Sequence, residues 1–484
     1  MISRLFFAFL LTLLFFTPAA GQDAVQLTLE DAILRASEKG PTARMAKLDH
    51  EEAHWTYKAF QAGYKPSLSL FANAPGFLRS LNSVEQDDGS LKFVSQRRTF
   101  SSVNMSIQQP ISLTGGTFSV SSGLSRILQS GDPGFTQWQS SPLLLSLNQP
   151  LFQFNAMKWD RRVTPIQYEA DTRAYVEELA ELSTDISNLF FAVYDAKQSI
   201  DIESFNVAVN DTIFTLAQGR YDIGIIAENE LLQTELQLIN ARTSLANAQI
   251  NHMRALQDLK IALGLSYDTD LQVIPPFEIP SFDIDPERAI QYARTNRPDY
   301  LNLVINSLLA ERNVEQSRKS QFGINMSASY GLNQSSDDFD NIYVDPLNRQ
   351  QFGISFQVPI FQWGRNRSQL KAAIANKKRT EENRALREEE LDQVVYFQVL
   401  QLELLEQQVR VAAQADTIAA RRFEVARNRY LVGNIDITDL FNAQNAKDSA
   451  NRSFINTLRQ YWTAYYDVRR LTLYDFEKEE PLGM

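Results

Sequence analysis

Two histidines four residues apart, in His50-Glu51-Glu52-Ala53-His54, form the pattern in this sequence with the most direct route to chemistry. On a helix, positions i and i+4 share a face, so both rings could hold one zinc ion while Glu51 takes a proton from bound water. That is the H-E-x-x-H arrangement of zinc proteases. A working site also needs a third protein ligand and a pocket. The only other histidine, His252, lies far along the chain, and the chain has no cysteine. The residues around the pair read as the polar face of a coiled coil. The sequence is therefore read as non-enzymatic, with no catalytic residues, no metal and no cofactor. Absence of cysteine also excludes disulfides, iron–sulfur sites and thiol catalysis. A net charge of −11 argues against nucleic acid as a partner, because phosphate contacts need clustered Lys and Arg.

The elements that carry these residues begin with a targeting segment. Arg4 is the only charge before Asp23, and Leu5 to Phe16 is apolar except for Thr12. Small residues follow at Ala19, Ala20 and Gly21, so a secretory signal peptide is expected over residues 1–21. No later run reaches the ~18 apolar residues that a spanning helix needs. An exported chain of this kind can still enter a membrane as β-strands.

The chain reads as a tandem duplication. Gln149-Pro150-Leu151-Phe152 lies over Val358-Pro359-Ile360-Phe361 at an offset of 209, and Arg220-Tyr221-Asp222-Ile223-Gly224 lies over Arg429-Tyr430-Leu431-Val432-Gly433 at the same offset. Upstream, Glu30, Ala32, Ile33 and Pro41 lie over Glu287, Ala289, Ile290 and Pro298 at an offset of 257. The two offsets differ by 48, which marks an insertion in the first half between Pro66 and Leu143. The expected domains are the signal peptide, a first repeat over 22–275 and a second over 276–484. The first repeat would hold strands over about 67–150 and long helices over about 156–265; the second, strands over about 323–361 and long helices over about 365–475.

Each half begins with a helical segment broken by a proline step, at Gly40-Pro41 and Arg297-Pro298. Period-two sequence follows, as in Ser67-Leu68-Ser69-Leu70 and Asn325-Met326-Ser327-Ala328-Ser329, with one dry face and one polar face. Leu68 and Ser69 then sit on opposite faces. Asp160 to Tyr221 and Asn366 to Tyr430 contain no proline after Pro165, and a helix of ~60 residues is ~90 Å long. Positions Val176, Leu179, Leu182, Ile186, Leu189 and Val193, and Leu391, Val394, Gln398, Leu402, Leu405, Val409 and Ala412, apolar except for Gln398, recur three or four apart, the seam of a coiled coil. Strands that cross a bilayer cannot leave an edge open, and the smallest such barrels need ~8 strands. One chain offers four clear strands, so several copies must share one barrel. The insertion, about 75–141, either adds a hairpin to the barrel wall or forms an extracellular cap. Phe135, Trp138 and Tyr343 are expected in outer loops, at headgroup level.

Signal peptide, duplicated halves, paired strands, very long helices and the Tyr-x-x-Gly turns together resemble the outer membrane efflux protein family, over essentially the whole mature chain. The resemblance implies a mixed α and β membrane protein: a trimeric transmembrane β-barrel continuing into a long periplasmic α-helical coiled-coil barrel. It implies a passive exit duct of a tripartite efflux or type I secretion system, located in the outer membrane of a Gram-negative bacterium with a large periplasmic part. The implied partners are two more copies of the chain, outer membrane lipid, a periplasmic adaptor, and an inner-membrane efflux pump or ABC transporter. Cargo stays open among drugs, metal ions and secreted proteins. A trimeric scaffold or adhesin without transport is the alternative.

The resemblance also assigns residues. Asp439 matches an acidic position that rings the periplasmic entrance; Asn442 stands where a second acid is common, and Asp436 could substitute for it. Tyr430 and Glu230 match a tyrosine-to-acid link between tips, with Tyr221 the first-repeat counterpart of Tyr430. Ile435 replaces a basic residue that elsewhere links protomers. Arg220, Gly224, Leu231, Arg429, Gly433 and Leu440 match the helix-turn-helix tips that meet the adaptor.

Overall fold

A computed structural model describes residues 25–130, 134–280, 282–432 and 434–483, and the expected signal peptide lies outside them. The first half runs β1 (Val25–Thr28), α1 (Leu29–Lys39), α2 (Pro41–Ala62), β2 (Ser67–Glu85), β3 (Leu91–Ile111), β4 (Gly116–Ser130), β5 (Phe135–Leu151), α3 (Ala156–Asp222) and α4 (Glu228–Ala262). The second runs β6 (Leu271–Ile274), α5 (Pro286–Asn296), α6 (Pro298–Lys319), β7 (Gly323–Ser336), β8 (Leu347–Gln357), α7 (Arg365–Leu431) and α8 (Ile437–Thr472).

Both repeat offsets recur in the element bounds. Helices α1 and α2 map onto α5 and α6, end for end, at the upstream offset, and α3 maps onto α7 at the downstream one. Local chemistry sets these bounds. Thr28 and Asp31 form a capping box on α1, and Asp285 caps α5 by accepting from Glu287 N at 3.1 Å. Pro41 and Pro298 force the residues before them out of the helical region; Gly40 and Arg297 are both extended, with ψ of 148° and 142°. Helices α3 and α7 have 67 residues each, and α3 tolerates Pro165 within its first three turns.

The chain divides into two compact units that do not follow the repeats. Of the described residues, one takes those within 25–45, 179–282 and 401–467; the other takes those within 46–178, 283–400 and 468–483. In the first unit, β1 and β6 pair in parallel, and Phe190, Ile186, Leu458 and Tyr461 form part of a dry core. Two bonds strap the connector between the repeats to α8: Tyr461 Oη donates to the Pro280 carbonyl at 3.1 Å and Trp462 Nε1 to that of Pro276 at 3.2 Å.

The second unit holds one antiparallel sheet of six strands, in the order β2-β3-β4-β5-β7-β8. Two adjacent rows show its two faces. In register across all six strands lie Ser67, Gln108, Ser119, Ser146, Ser329 and Gln351, a fully polar row. One residue along lie Leu68, Ile107, Val120, Leu145 and Tyr330, ending on Gln350. The insertion therefore supplies strands of the same sheet. The apolar face is uncovered in a single chain: Leu70 and Phe352 are 69% and 68% exposed. Among the described residues the edges, β2 and β8, have no further partner strand.

Two expectations need correction. Phe135 and Trp138 lie in β5, where pairing with β4 continues through Gln129↔Phe135; only Tyr343 is in a loop. In α7 the seam runs through Val395 and Val399, 1% and 4% exposed, and joins Leu402, Leu405 and Val409. Val394 is exposed, because two adjacent valines cannot share one helix face. Among the described residues no helix is long and apolar enough to cross a membrane.

Candidate functional site: the helix-turn-helix tips

The two tips share one closing bond. At the end of α3, Ile225 N–H donates to the Arg220 carbonyl at 2.9 Å and Gly224 N–H to that of Tyr221 at 2.8 Å. This pair is a Schellman closure, which needs a left-handed residue at its centre, and Gly224 has φ +75°. At the end of α7, Asn434 N–H donates to the Arg429 carbonyl at 2.9 Å, the equivalent bond in the second repeat. Gly433 lies outside the described residues.

Helix α8 starts from a side-chain cap. Asp436 Oδ1 accepts from Asp439 N at 2.8 Å, satisfying one of the free amides of the first turn. Asp436 thus caps the helix while staying exposed. Asp439 is exposed in the first turn, where the helix dipole also favours a negative charge. Asn442 is exposed one turn further on, and Glu230 sits half-buried in the first turn of α4.

Behind the turns the ends of α3, α7 and α8 share an apolar cluster of Ile213, Phe423, Tyr430, Ile437, Leu440 and Ala443, against which Ile435 packs. Tyr430 is only 3% exposed. Arg220 places its guanidinium 5.6 Å from the Tyr430 ring centroid, a cation–π contact. Burial pushes the Tyr430 phenol up; Arg220 opposes this, and the Glu230 charge adds to it. Leu440, 1% exposed, serves the tip's own core. Tyr221, Arg429, Gly224 and, partly, Leu231 stay open to solvent.

A polar layer that sequence reasoning missed lies further along α3 and α8. Gln444 Nε2 donates to Asn206 Oδ1 at 2.6 Å, Asn206 Nδ2 donates to Asp448 Oδ2 at 2.9 Å, and Arg452 pairs with Glu203 at 2.8 Å. These groups line a cavity of about 440 Å³. Its signal was available: Asn206 and Asn210 occupy the α3 seam between Ile202 and Ile213.

The two histidines of the H-E-x-x-H pattern are engaged by aromatic rings. His50 stacks on Tyr175 with centroids 5.1 Å apart, and His54 Nδ1 lies 3.0 Å from Tyr168 Oη.

The described residues form a helix-rich, mixed α and β architecture: an amphipathic sheet open at both edges and duplicated long helices with matching tip sequences. The family model for outer membrane efflux proteins matches residues 33–265 and 289–472, so the chain belongs to that family of the outer membrane. It is 22% identical to the outer membrane protein TolC of Escherichia coli over 333 residues, 66% of each chain and thus just under two thirds of that relative's length. Among solved structures it is similar to the Campylobacter jejuni CmeC outer membrane channel, with a TM-score of 0.67, 15% identity and coverage of 94% of this chain and 87% of that one. It is also similar to the outer membrane protein VceC of Vibrio cholerae, with a TM-score of 0.64, 15% identity and coverage of 92% and 95%.

Proposed function

We propose that three copies of this chain close their sheets into one barrel in the outer membrane, with the helices continuing as a duct into the periplasm. The duct is passive and is opened at its tips by a periplasmic adaptor working with an inner-membrane efflux pump or ABC transporter. The observation that carries this reading is the open sheet with one apolar face. In lipid each unpaired backbone group costs several kcal/mol, so the edges β2 and β8 must be paired. The order has an even number of strands, so β2 and β8 run in opposite directions and one chain's β8 can pair antiparallel with the next chain's β2. Such head-to-tail contacts close by cyclic symmetry.

At the tips, Asp439 from three chains forms an acidic ring at the entrance. Exposed Gly224 and Arg429 offer the adaptor a close approach and a charge. A Tyr430–Glu230 link between tips adds to the apolar cluster. Asp439→Ala removes a charge without touching the Asp436 cap or the cluster, so the fold should be unchanged. Cation selectivity, and block by divalent cations from the periplasmic side, should both fall. Reversal potentials in planar bilayers read the first and blocking titrations the second. Unchanged values would place the acidic ring elsewhere.

A further inference from the structure

The first repeat carries a hairpin that the second lacks, and that hairpin is a copy of its neighbour. Met105-Ser106-Ile107-Gln108-Gln109-Pro110-Ile111 recurs, position for position, as Leu145-Ser146-Leu147-Asn148-Gln149-Pro150-Leu151. The second repeat has the pattern once, as Ile354-Ser355-Phe356-Gln357-Val358-Pro359-Ile360. The copies share geometry as well as sequence. Gln109 Nε2 donates to the Pro110 carbonyl at 2.7 Å, and Gln149 Nε2 to the Pro150 carbonyl at 2.8 Å.

The β3–β4 turn sits at the end of the sheet where α3 begins. Asn155 caps α3 by accepting from Lys158 N at 3.2 Å, and its Nδ2 donates to the Ser112 carbonyl at 2.9 Å. Thr114 Oγ1 donates to Gln149 Oε1 at 2.7 Å. At the foot of β3, Gln109 also donates to the Tyr64 carbonyl, just beyond α2, at 2.9 Å. Strands β3 and β4 therefore reach the same foot as β5, and they keep its phase, Ser106 and Ser119 polar beside Ile107 and Val120.

We propose that the extra hairpin is a wall element that sets the bore: each chain gives six strands, the trimer closes with eighteen, and the duct takes bulky hydrophilic cargo. This rests on the trimeric duct reading above. With strands ~4.8 Å apart and tilted ~40°, eighteen strands give a backbone diameter of ~36 Å, against ~24 Å for the twelve that two equal repeats would supply. Barrels of ~16–18 strands hold an open aqueous channel. The lining row is neutral serine and glutamine, so at that depth the wall sorts by size rather than by charge.

The absence of cysteine makes the test clean. Single-cysteine variants at Ser106, Ile107, Ser119 and Val120 probe the extra hairpin, and Leu145, Ser146, Ser329 and Tyr330 probe the other wall strands, all in the reconstituted full-length protein with a charged thiol reagent. The serine positions should react ~100-fold faster than their apolar neighbours, since a charged reagent is excluded from hydrocarbon. Electron cryomicroscopy of the same preparation should count eighteen strands. If the β5 and β7 pairs alternate but the β3 and β4 pairs do not, or if twelve strands are counted, the extra hairpin is not wall and this inference falls while the duct reading stands. If no pair alternates, both fall together.

Discussion

Leu145→Arg should abolish assembly of the membrane-inserted protein, whereas Ser146→Arg should leave it intact. The two residues are adjacent in β5, and the register puts Leu145 between Val120 and Tyr330 on the apolar face and Ser146 between Ser119 and Ser329 on the polar face. Arginine facing lipid near mid-depth costs ~2–4 kcal/mol, and a trimer would meet that cost three times. Arginine facing a water-filled lumen stays hydrated and costs little. Leu68 and Ser69 offer the same contrast, because Leu68 lies in the same row as Leu145 and Ser69 is its neighbour on the opposite face. The readout is the fraction of chain recovered from outer membranes as an SDS-resistant oligomer. Equal recovery for the two position-145 and position-146 variants would mean that β5 does not cross lipid.

The second large effect is expected at Tyr430. Its ring is enclosed by the ends of α3, α7 and α8 and covered by Arg220. Tyr430→Ala removes a buried aromatic side chain, a change that costs ~3–5 kcal/mol where the surroundings cannot collapse. If that packing holds the tips together, the balance between shut and open entrance moves by ~10²-fold or more, at ~1.4 kcal/mol per factor of ten. Tyr430→Phe keeps the ring and its contact with Arg220 and loses only the hydroxyl, so the shift should be near tenfold or less. Combining it with Glu230→Ala should add little. Single-channel open probability separates the cases. Comparable opening by Tyr430→Phe and Tyr430→Ala would show that the hydroxyl link, and not packing, holds the entrance.

Much of the fold was legible because its signals are local. Proline steps at Pro41 and Pro298, the Tyr-x-x-Gly turns and the alternation around Ser69 and Ser327 each act through their own backbone and need no distant partner. What was hidden depended on choice among partners. Val394 and Val395 are chemically identical, and only the neighbouring helices decide which is buried. Trp138 read as a loop anchor because its strand membership depends on pairing with Arg126 of β4. The place of the insertion was open for the same reason: alternation identifies a strand, and register alone identifies its sheet. At the tips the resemblance singled out Asp439 and offered Asp436 as a substitute second acid; that the Asp436 carboxylate caps α8 was not legible, because a cap depends on the backbone turn around it.

The most direct measurement is ion conductance of the purified, assembled protein in planar bilayers, with Tyr430→Ala as the opened form. A passive duct predicts discrete unitary steps that are small or rare in the natural protein, larger or more frequent in Tyr430→Ala, and cation-selective in both. Bilayers that hold verified trimers of both forms and remain electrically silent would contradict it, and would leave a scaffold without through-flow.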